Sequence, residues 1–443
     1  MTTKIANILQ CYALGMGIKQ ISRSFELSRN TVRRYVRLFQ ECGIPIKELA
    51  AMPSARIQEM FSEGVGRNRE PSQRQLELEA LLPEYAARLS RRGVTVKTLY
   101  EEYRETHPDK NIIEKLIHAF SLLDMLADSG CPFHFKGGSS LMLLLKDQRH
   151  RLSIDIDIIC PPGTEIEEYL QAYKDYGFID YKPVERIQRG TEIPKTHSKF
   201  FYQVAFIDGI DRREKILLDV LNEDCHYNEV LILPIESRFI QTVGETNSVK
   251  VPSVGDILGD KLTAYAPNTT GIPYIKNGND ASMEIIKQLY DIARLFEKVD
   301  NLDITTKSFE KIAEVELSYR KLENNPKLIF EDVRQTSLCL ATRGMEGNGQ
   351  FDALQRGIQR IKTFMFNGKY LIDDAIKDAA CAAYIATLLE AGQTTVEKYD
   401  GNIESISSLE IAPTLTTRLN KLKRTSPEAY FYWAKTSELL QNL

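Results

Sequence analysis

Phe135-Lys136-Gly137-Gly138-Ser139-Ser140-Leu141 and, a few residues on, Arg151-Leu152-Ser153-Ile154-Asp155-Ile156-Asp157-Ile158 are the stretches on which the reading of this chain turns. The second alternates apolar and acidic residues with period two, which predicts a strand with one buried face over residues 154–159. Asp155 and Asp157 then leave the same side of it, about 7 Å apart by the strand rise. The first reads as a short strand over 131–136 that closes on a Gly/Ser turn. Gly137 and Gly138 let backbone N–H groups approach an anion closely, while Ser139 and Ser140 offer hydroxyls and can cap a following helix. The apolar run 141–145 is too short to span a membrane and reads as buried helix.

Each stretch has a plain alternative: an exposed strand with an acidic face, and an ordinary turn at a helix start. Asp is a poor strand former, and two unneutralised carboxylates on a β-branched strand repel each other. Hard oxygen ligands in a pair suit Mg²⁺ or Mn²⁺. A phosphate cradle beside an acid pair supplies the two parts that nucleotidyl transfer requires: a grip on a triphosphate and a seat for divalent metal.

These residues resemble the AbiEii/AbiGii-type nucleotidyltransferases, relatives of the MenT toxins within the DNA polymerase β-like superfold. The family's Lys-Gly-Gly-Thr/Ser-x-Leu turn matches Lys136 to Leu141, and its Arg-Phe-Ser-x-Asp-Ile-Asp-Leu strand matches the eight residues from Arg151 to Ile158. A third family acid on a later strand corresponds to Asp219 in Lys215-Ile216-Leu217-Leu218-Asp219-Val220. A Lys-Leu-x-Ala motif matches Lys261-Leu262-Thr263-Ala264, although Tyr265-Ala266-Pro267 stand where an Arg usually follows. The last motif, Arg-Asp-x-x-Asp-Leu, survives as Lys287-Gln288-Leu289-Tyr290-Asp291-Ile292, with Gln288 replacing its first acid. The resemblance spans about residues 112–345.

What the resemblance implies is an α+β fold: a polymerase β-like mixed sheet flanked by helices. It implies catalytic roles for Asp155, Asp157, Asp219, Lys261 and Asp291, with the three strand aspartates holding two Mg²⁺ (or Mn²⁺) ions. Lys136, Gly137, Gly138, Ser139, Ser140, Arg151 and Ser153 would bind the NTP, and Asp291 would orient Lys261. By the residues alone, Asp219 reads equally well as an edge-strand acid, Lys261 as a solvated cation, and Lys287 with Asp291 as an i,i+4 surface pair on an amphipathic helix.

A chain of 443 residues is long enough for two or three cores. Its 43% hydrophobic and 27% charged content is that of an ordinary globular protein. No signal peptide, transit peptide or membrane-length apolar run is visible, so a cytoplasmic location is expected. Seven scattered cysteines without CxxC spacing argue against a zinc site and a disulfide framework. The six histidines do not cluster, and His134 and His150, beside the turn, read as packed or solvated residues.

Charge is uneven. Residues 1–110 carry 18 Lys/Arg against 13 Asp/Glu, while the remainder of the chain is net negative. Within the basic front, Ile18, Ile21 and Phe25 mark a short helix, Glu26-Leu27 a turn, and Ser28 a cap for a second helix over 29–39. Val32, Tyr35, Val36 and Phe39 form that helix's buried stripe; Arg29, Asn30, Arg33, Arg34 and Arg37 face outward, suited to a DNA major groove. A basic helix pair packed for structure alone is the alternative. The front resembles the amino-terminal region of IstA-type insertion-sequence transposases, through residues 18–37, 92–94 and 99–109, which implies a hybrid reading frame.

The expected domains are a helix-turn-helix unit over 1–60, a helical linker or second small unit over 61–110, the nucleotidyltransferase domain over 111–300 and a helical C-terminal domain over 301–443. Gly43 to Ser54 and Gly64 to Ser72 read as linkers, and Arg418, Lys421, Lys423 and Arg424 as a solvated charge run. The expected function is transfer of an NMP from an NTP to an acceptor hydroxyl, a tRNA 3′ end foremost, by a toxin with a cognate antitoxin or by a phage-defence protein. A DNA-binding transposition protein and a nucleotidyltransferase acting on a small molecule stand as alternatives.

Overall fold

Alternating β-branched and polar residues set the strands of this chain, and their registers bring the two diagnostic stretches side by side. A computed structural model describes residues 4–25, 27–53, 56–57, 60–61, 110–146, 151–184, 194–204, 212–237, 245–365 and 369–443. The chain divides into two compact units, residues 1–99 and 100–443.

Among the described residues of the first unit, helices α1 (Lys4–Ala13), α2 (Ile18–Ser24), α3 (Arg29–Glu41) and α4 (Ile46–Ala51) surround a small core of Ile8, Leu9, Ile21, Val32, Phe39 and Leu49. Ser28 caps α3 as its position before the helix dictates: its hydroxyl accepts from the Thr31 N–H at 3.0 Å. Helix α4 falls inside the stretch expected to be a linker, because Leu49 reaches this core and is fully buried. The stretch 64–72, read as a linker, and residues 62–109 of the unit expected over 61–110 lie outside the described residues.

The second unit is α+β. Among the described residues, seven strands form one mixed sheet in the order β3-β4-β5-β2-β1-β7-β6: β1 (His134–Lys136), β2 (Ile156–Cys160), β3 (Asp180–Val184), β4 (Lys195–Gln203), β5 (Arg213–Asn222), β6 (Val230–Pro234) and β7 (Ser248–Pro252). The pair β2–β5 is parallel and β1–β2 antiparallel. One face is apolar, with Phe135, Ile156, Ile158, Phe200, Leu218 and Val220 buried, and helix α5 (Lys110–Asp128) packs against β2 and β5. Helix α6 (Gly137–Leu144) follows β1 without a connecting residue.

Helices α7 (Val254–Ala264), α8 (Ser282–Phe296), α9 (Asp303–Tyr319), α10 (Lys327–Ala341), α11 (Phe351–Ile361) and α12 (Ile372–Glu390) come next, then the short α13 (Leu422–Thr425) and α14 (Pro427–Leu440). A two-stranded β8–β9 ribbon, Ile275–Lys276 with Asn279–Asp280, precedes α8. A single apolar core runs from Leu116 to Ala434, so the sheet and the C-terminal helices are buried against one another. The chain near Arg418 to Arg424 is not merely a solvated run: Leu419 and Leu422 anchor it, and α14 inserts Trp433 fully into the core. Among the described residues, no helix is long and apolar enough to cross a membrane.

Candidate active site

Four residues stand across four strands in one registered row. Lys136 on β1 lies opposite Asp157 on β2, Asp157 beside Asp219 on β5, and Asp219 opposite His197 on β4. Since side chains alternate along strands, all four leave the sheet on the face away from α5. Asp219 is therefore on a central strand rather than an edge. Strand β2 begins at Ile156, so Asp155 stands immediately before it while Asp157 lies on it. Both carboxylates are partly exposed, whereas Ile156 and Ile158 are buried.

The Gly/Ser turn is built against this acid pair. Gly137 has φ +78°, and a Cβ there would lie 2.9 Å from Asp157 Cγ. Glycine is what lets the backbone pass so close to the carboxylate in a left-handed conformation. A Cβ on Gly138 would stand 2.8 Å from Ser153 Oγ and 3.2 Å from Arg151 Cζ. The start of α6 has no side-chain cap, so no N-cap side chain takes up its first N–H groups.

The two serines behave differently from the expectation. Both are fully buried; the Ser139 hydroxyl donates to the Asp155 carbonyl at 2.5 Å and the Ser140 hydroxyl to the Gly137 carbonyl at 2.9 Å. The Ser139 hydroxyl fastens the turn to the acid strand, and the Ser140 hydroxyl closes the turn on itself.

Arg151, expected at the nucleotide, is 4% exposed and is held by Asp291, Nε to Oδ1 at 3.0 Å and Nη2 to Oδ2 at 2.8 Å. Asp291 also takes Lys261, Nζ to Oδ2 at 3.0 Å, and Lys261 donates to Gln288 Oε1 at 2.8 Å. Burial alone would raise the Asp291 pKa, but Arg151 and Lys261 together hold it below the usual carboxylate range. Asp291 is thus no surface partner of Lys287, whose amine lies over the Phe364 ring, 4.2 Å from its centre. Arg151 also forms an isolated bridge with Met365, and the Leu152 N–H donates to the Phe364 carbonyl at 2.7 Å. Helix α11 ends at Ile361, before this pairing.

Asp219 is committed on both oxygens. His197 Nδ1 lies 2.5 Å from Oδ1 and Lys195 Nζ 2.8 Å from Oδ2; the same ammonium is 3.8 Å from Asp157 Oδ1. Burial opposes ionisation of Asp219, yet His197 and Lys195 hold its pKa well below the ordinary value. Asp155 is pushed the other way, up to about 6, by burial and by the charge of Asp157. Lys136 turns along the sheet face to Asp260, Nζ to Oδ2 at 3.2 Å, where the Tyr227 hydroxyl also donates at 2.9 Å. Burial disfavours its charge, but Asp260 and Tyr227 outweigh it and raise its pKa.

The family model for the AbiEii nucleotidyl transferase toxin of type IV toxin–antitoxin systems matches residues 121–377, more than half of the chain. The chain belongs to that family. It is a nucleotidyltransferase of a toxin family, and the matched span contains every site residue described above. Among solved structures, it is similar to JHP933 from Helicobacter pylori, at 15% identity over 64% of this chain and 94% of that one, with a TM-score of 0.33. It is also similar to the nucleotidyltransferase toxin MenT4 from Mycobacterium tuberculosis, at 17% identity over 68% and 93%, with a TM-score of 0.36. No curated protein matches.

In this AbiEii-family chain the acid pair suits a divalent cation. Asp155 and Asp157 crowd negative charge that lifts the Asp155 pKa, and a hard dication would relieve that crowding. Among the described residues, however, no group of three or more His, Cys, Asp and Glu side chains converges to hold a metal ion. Asp219, expected as the third ligand, meets Lys195 and His197. Those two are the residues that sequence reasoning missed. The alternation of Thr196, Ser198, Phe200 and Tyr202 could have marked β4, but only strand pairing assigns Lys195 and His197 to Asp219.

Proposed function

We propose that this chain moves an NMP unit from an NTP to an acceptor hydroxyl, with a tRNA 3′ end as the acceptor, and acts as the toxin of a pair with a cognate antitoxin. The observation that carries this reading is the seating of Gly137 against the Asp157 carboxylate, which puts an uncapped helix start directly beside an acid pair. Backbone N–H groups from Gly137 to Ser140 bind the β and γ phosphates. Asp155 and Asp157 would hold a divalent cation, which would neutralise phosphate charge and make the acceptor hydroxyl easier to deprotonate. Arg151 and Lys261, clamped by Asp291, fix positive charge behind the turn, on the side where the leaving pyrophosphate gains its own charge.

The test supplies each α-phosphate-labelled NTP with Mg²⁺ and total tRNA to the purified protein and to the Asp155→Ala/Asp157→Ala double variant. Label on RNA with the wild type alone is the expected result. Unlabelled RNA from a folded protein that binds NTP would redirect the search to a small-molecule acceptor. Absence of NTP binding would sink the reading.

A second activity is favoured by α3 in the first unit. Arg29, Asn30, Arg33, Arg34 and Arg37 are all exposed on it, opposite the buried Val32, Val36 and Phe39. This unit is proposed to bind duplex DNA through that face. Arg33→Ala/Arg34→Ala should weaken binding of the full chain to duplex DNA and flatten its dependence on log salt by about 2, one per lost phosphate contact. An unchanged slope would remove the proposal.

A further inference from the structure

We propose that Lys195 is a built-in cation at the second metal position of this site, so that the loaded enzyme holds one divalent cation, on Asp155 and Asp157, and Asp219 ligates none. The inference rests on the nucleotidyl-transfer reading above and deepens it. Asp157 and Asp219 are registered neighbours on parallel strands, on the same face of the sheet. Strands stand about 4.8 Å apart, a separation at which two carboxylates share one cation between them.

That place is taken by the chain itself. Lys195 Nζ is 2.8 Å from Asp219 Oδ2 and 3.8 Å from Asp157 Oδ1. The remaining Asp219 oxygen faces His197 Nδ1 at 2.5 Å. A metal ion entering between the two aspartates would have to displace an ammonium already held by charge, while Asp219 keeps its contact with a His that is 6% exposed. The three side chains sit on adjacent, fully paired strands, with Lys195 and His197 two residues apart on β4, so their positions are set by backbone register.

An ammonium can do part of what a second dication does. It is a compact charge with three N–H donors. Asp219 occupies one of them, which leaves donor capacity for the oxygen of an incoming acceptor. It differs from a dication in carrying one charge and three directed N–H donors, so Lys195 positions an acceptor and balances charge beside the single cation. An incidental surface ion pair would be worth little and would leave metal stoichiometry untouched.

The experiment counts bound metal. Mn²⁺ is titrated into the full-length protein by EPR with a saturating α,β-methylene analogue of each NTP in turn, for the wild type, Lys195→Met and Lys195→Arg. The expected result is one protein-bound Mn²⁺ in the wild type and in Lys195→Arg, and two in Lys195→Met with the line broadening of a coupled pair. Thermal unfolding confirms that each variant is folded. Two Mn²⁺ ions in the wild type would overturn the inference and leave nucleotidyl transfer standing. A single Mn²⁺ in all three would overturn the role of Lys195. No Mn²⁺ in the folded wild type with any analogue would defeat the metal-dependent reading on which the inference rests.

Discussion

Lys261 on α7 and Asp291 on α8 meet with Nζ 3.0 Å from Oδ2, both almost free of solvent, and Asp291 grips Arg151 with the same carboxylate. One buried acid therefore joins the acid-strand motif to two helices. Removing it leaves two buried cations facing each other. Asp291→Ala should cost about 3–5 kcal/mol, the scale for breaking a buried ion pair by deleting one partner. Urea unfolding would read this as a lower midpoint at unchanged slope, with transfer activity lost.

Gln288 occupies the place of an acid in the family motif and accepts from Lys261 at 2.8 Å. Gln288→Leu removes that acceptor while Asp291 remains. The loss of one hydrogen bond to a charged group, about 1.5 kcal/mol, should lower kcat/KM for the NTP about tenfold. An undiminished kcat/KM in steady-state labelling would show that Asp291 alone positions the amine.

Gly137 and Gly163 both have left-handed backbone, φ +78° and +83°, but only Gly137 faces a neighbour. Gly163→Ala should lose only the conformational term, about 1 kcal/mol, and keep its activity. Gly137→Ala adds a clash with Asp157 and should lose roughly a hundredfold in transfer rate, as small displacements at reacting centres do. Parallel melting curves and rate measurements on the two variants make the comparison; equal rates would remove the close approach from the mechanism.

Asp155, raised from 3.8 to about 6, gives a pH signature. A raised carboxyl pKa means that the folded state binds the proton more tightly than the unfolded one. The stability it contributes is complete below about pH 3.8 and is lost as pH rises through about 6. A divalent cation on the ionised pair offsets that loss. Mg²⁺ should therefore raise the melting temperature more at pH 7.5 than at pH 5, and Asp155→Asn should melt higher without metal and respond less to it. An equal Mg²⁺ effect at both pH values would place the cation elsewhere.

Much of the site was legible in the sequence because it is written in local pattern. Period-two alternation around Asp155 and Asp157 gave the strand and its acidic face, with the strand starting two residues later than the pattern suggests. The Gly-Gly-Ser-Ser run gave a turn into a helix, and Ser28 gave the start of α3. These depend on propensities and spacings within a few residues, which a sequence displays directly.

Partners depend on strand register and helix packing, and those arise only from burying one core. That His197 and Lys195 close on Asp219 follows from antiparallel pairing of β4 with β5, and no spacing along the chain encodes it. That Asp291 clamps Arg151 follows from α8 packing its charged position under the turn, where a guanidinium without a carboxylate would be too costly to bury. The sequence by itself determined the acid pair, the turn and helices α2 and α3. The tertiary structure decided which charges neutralise which, because that choice is made by desolvation in a shared interior.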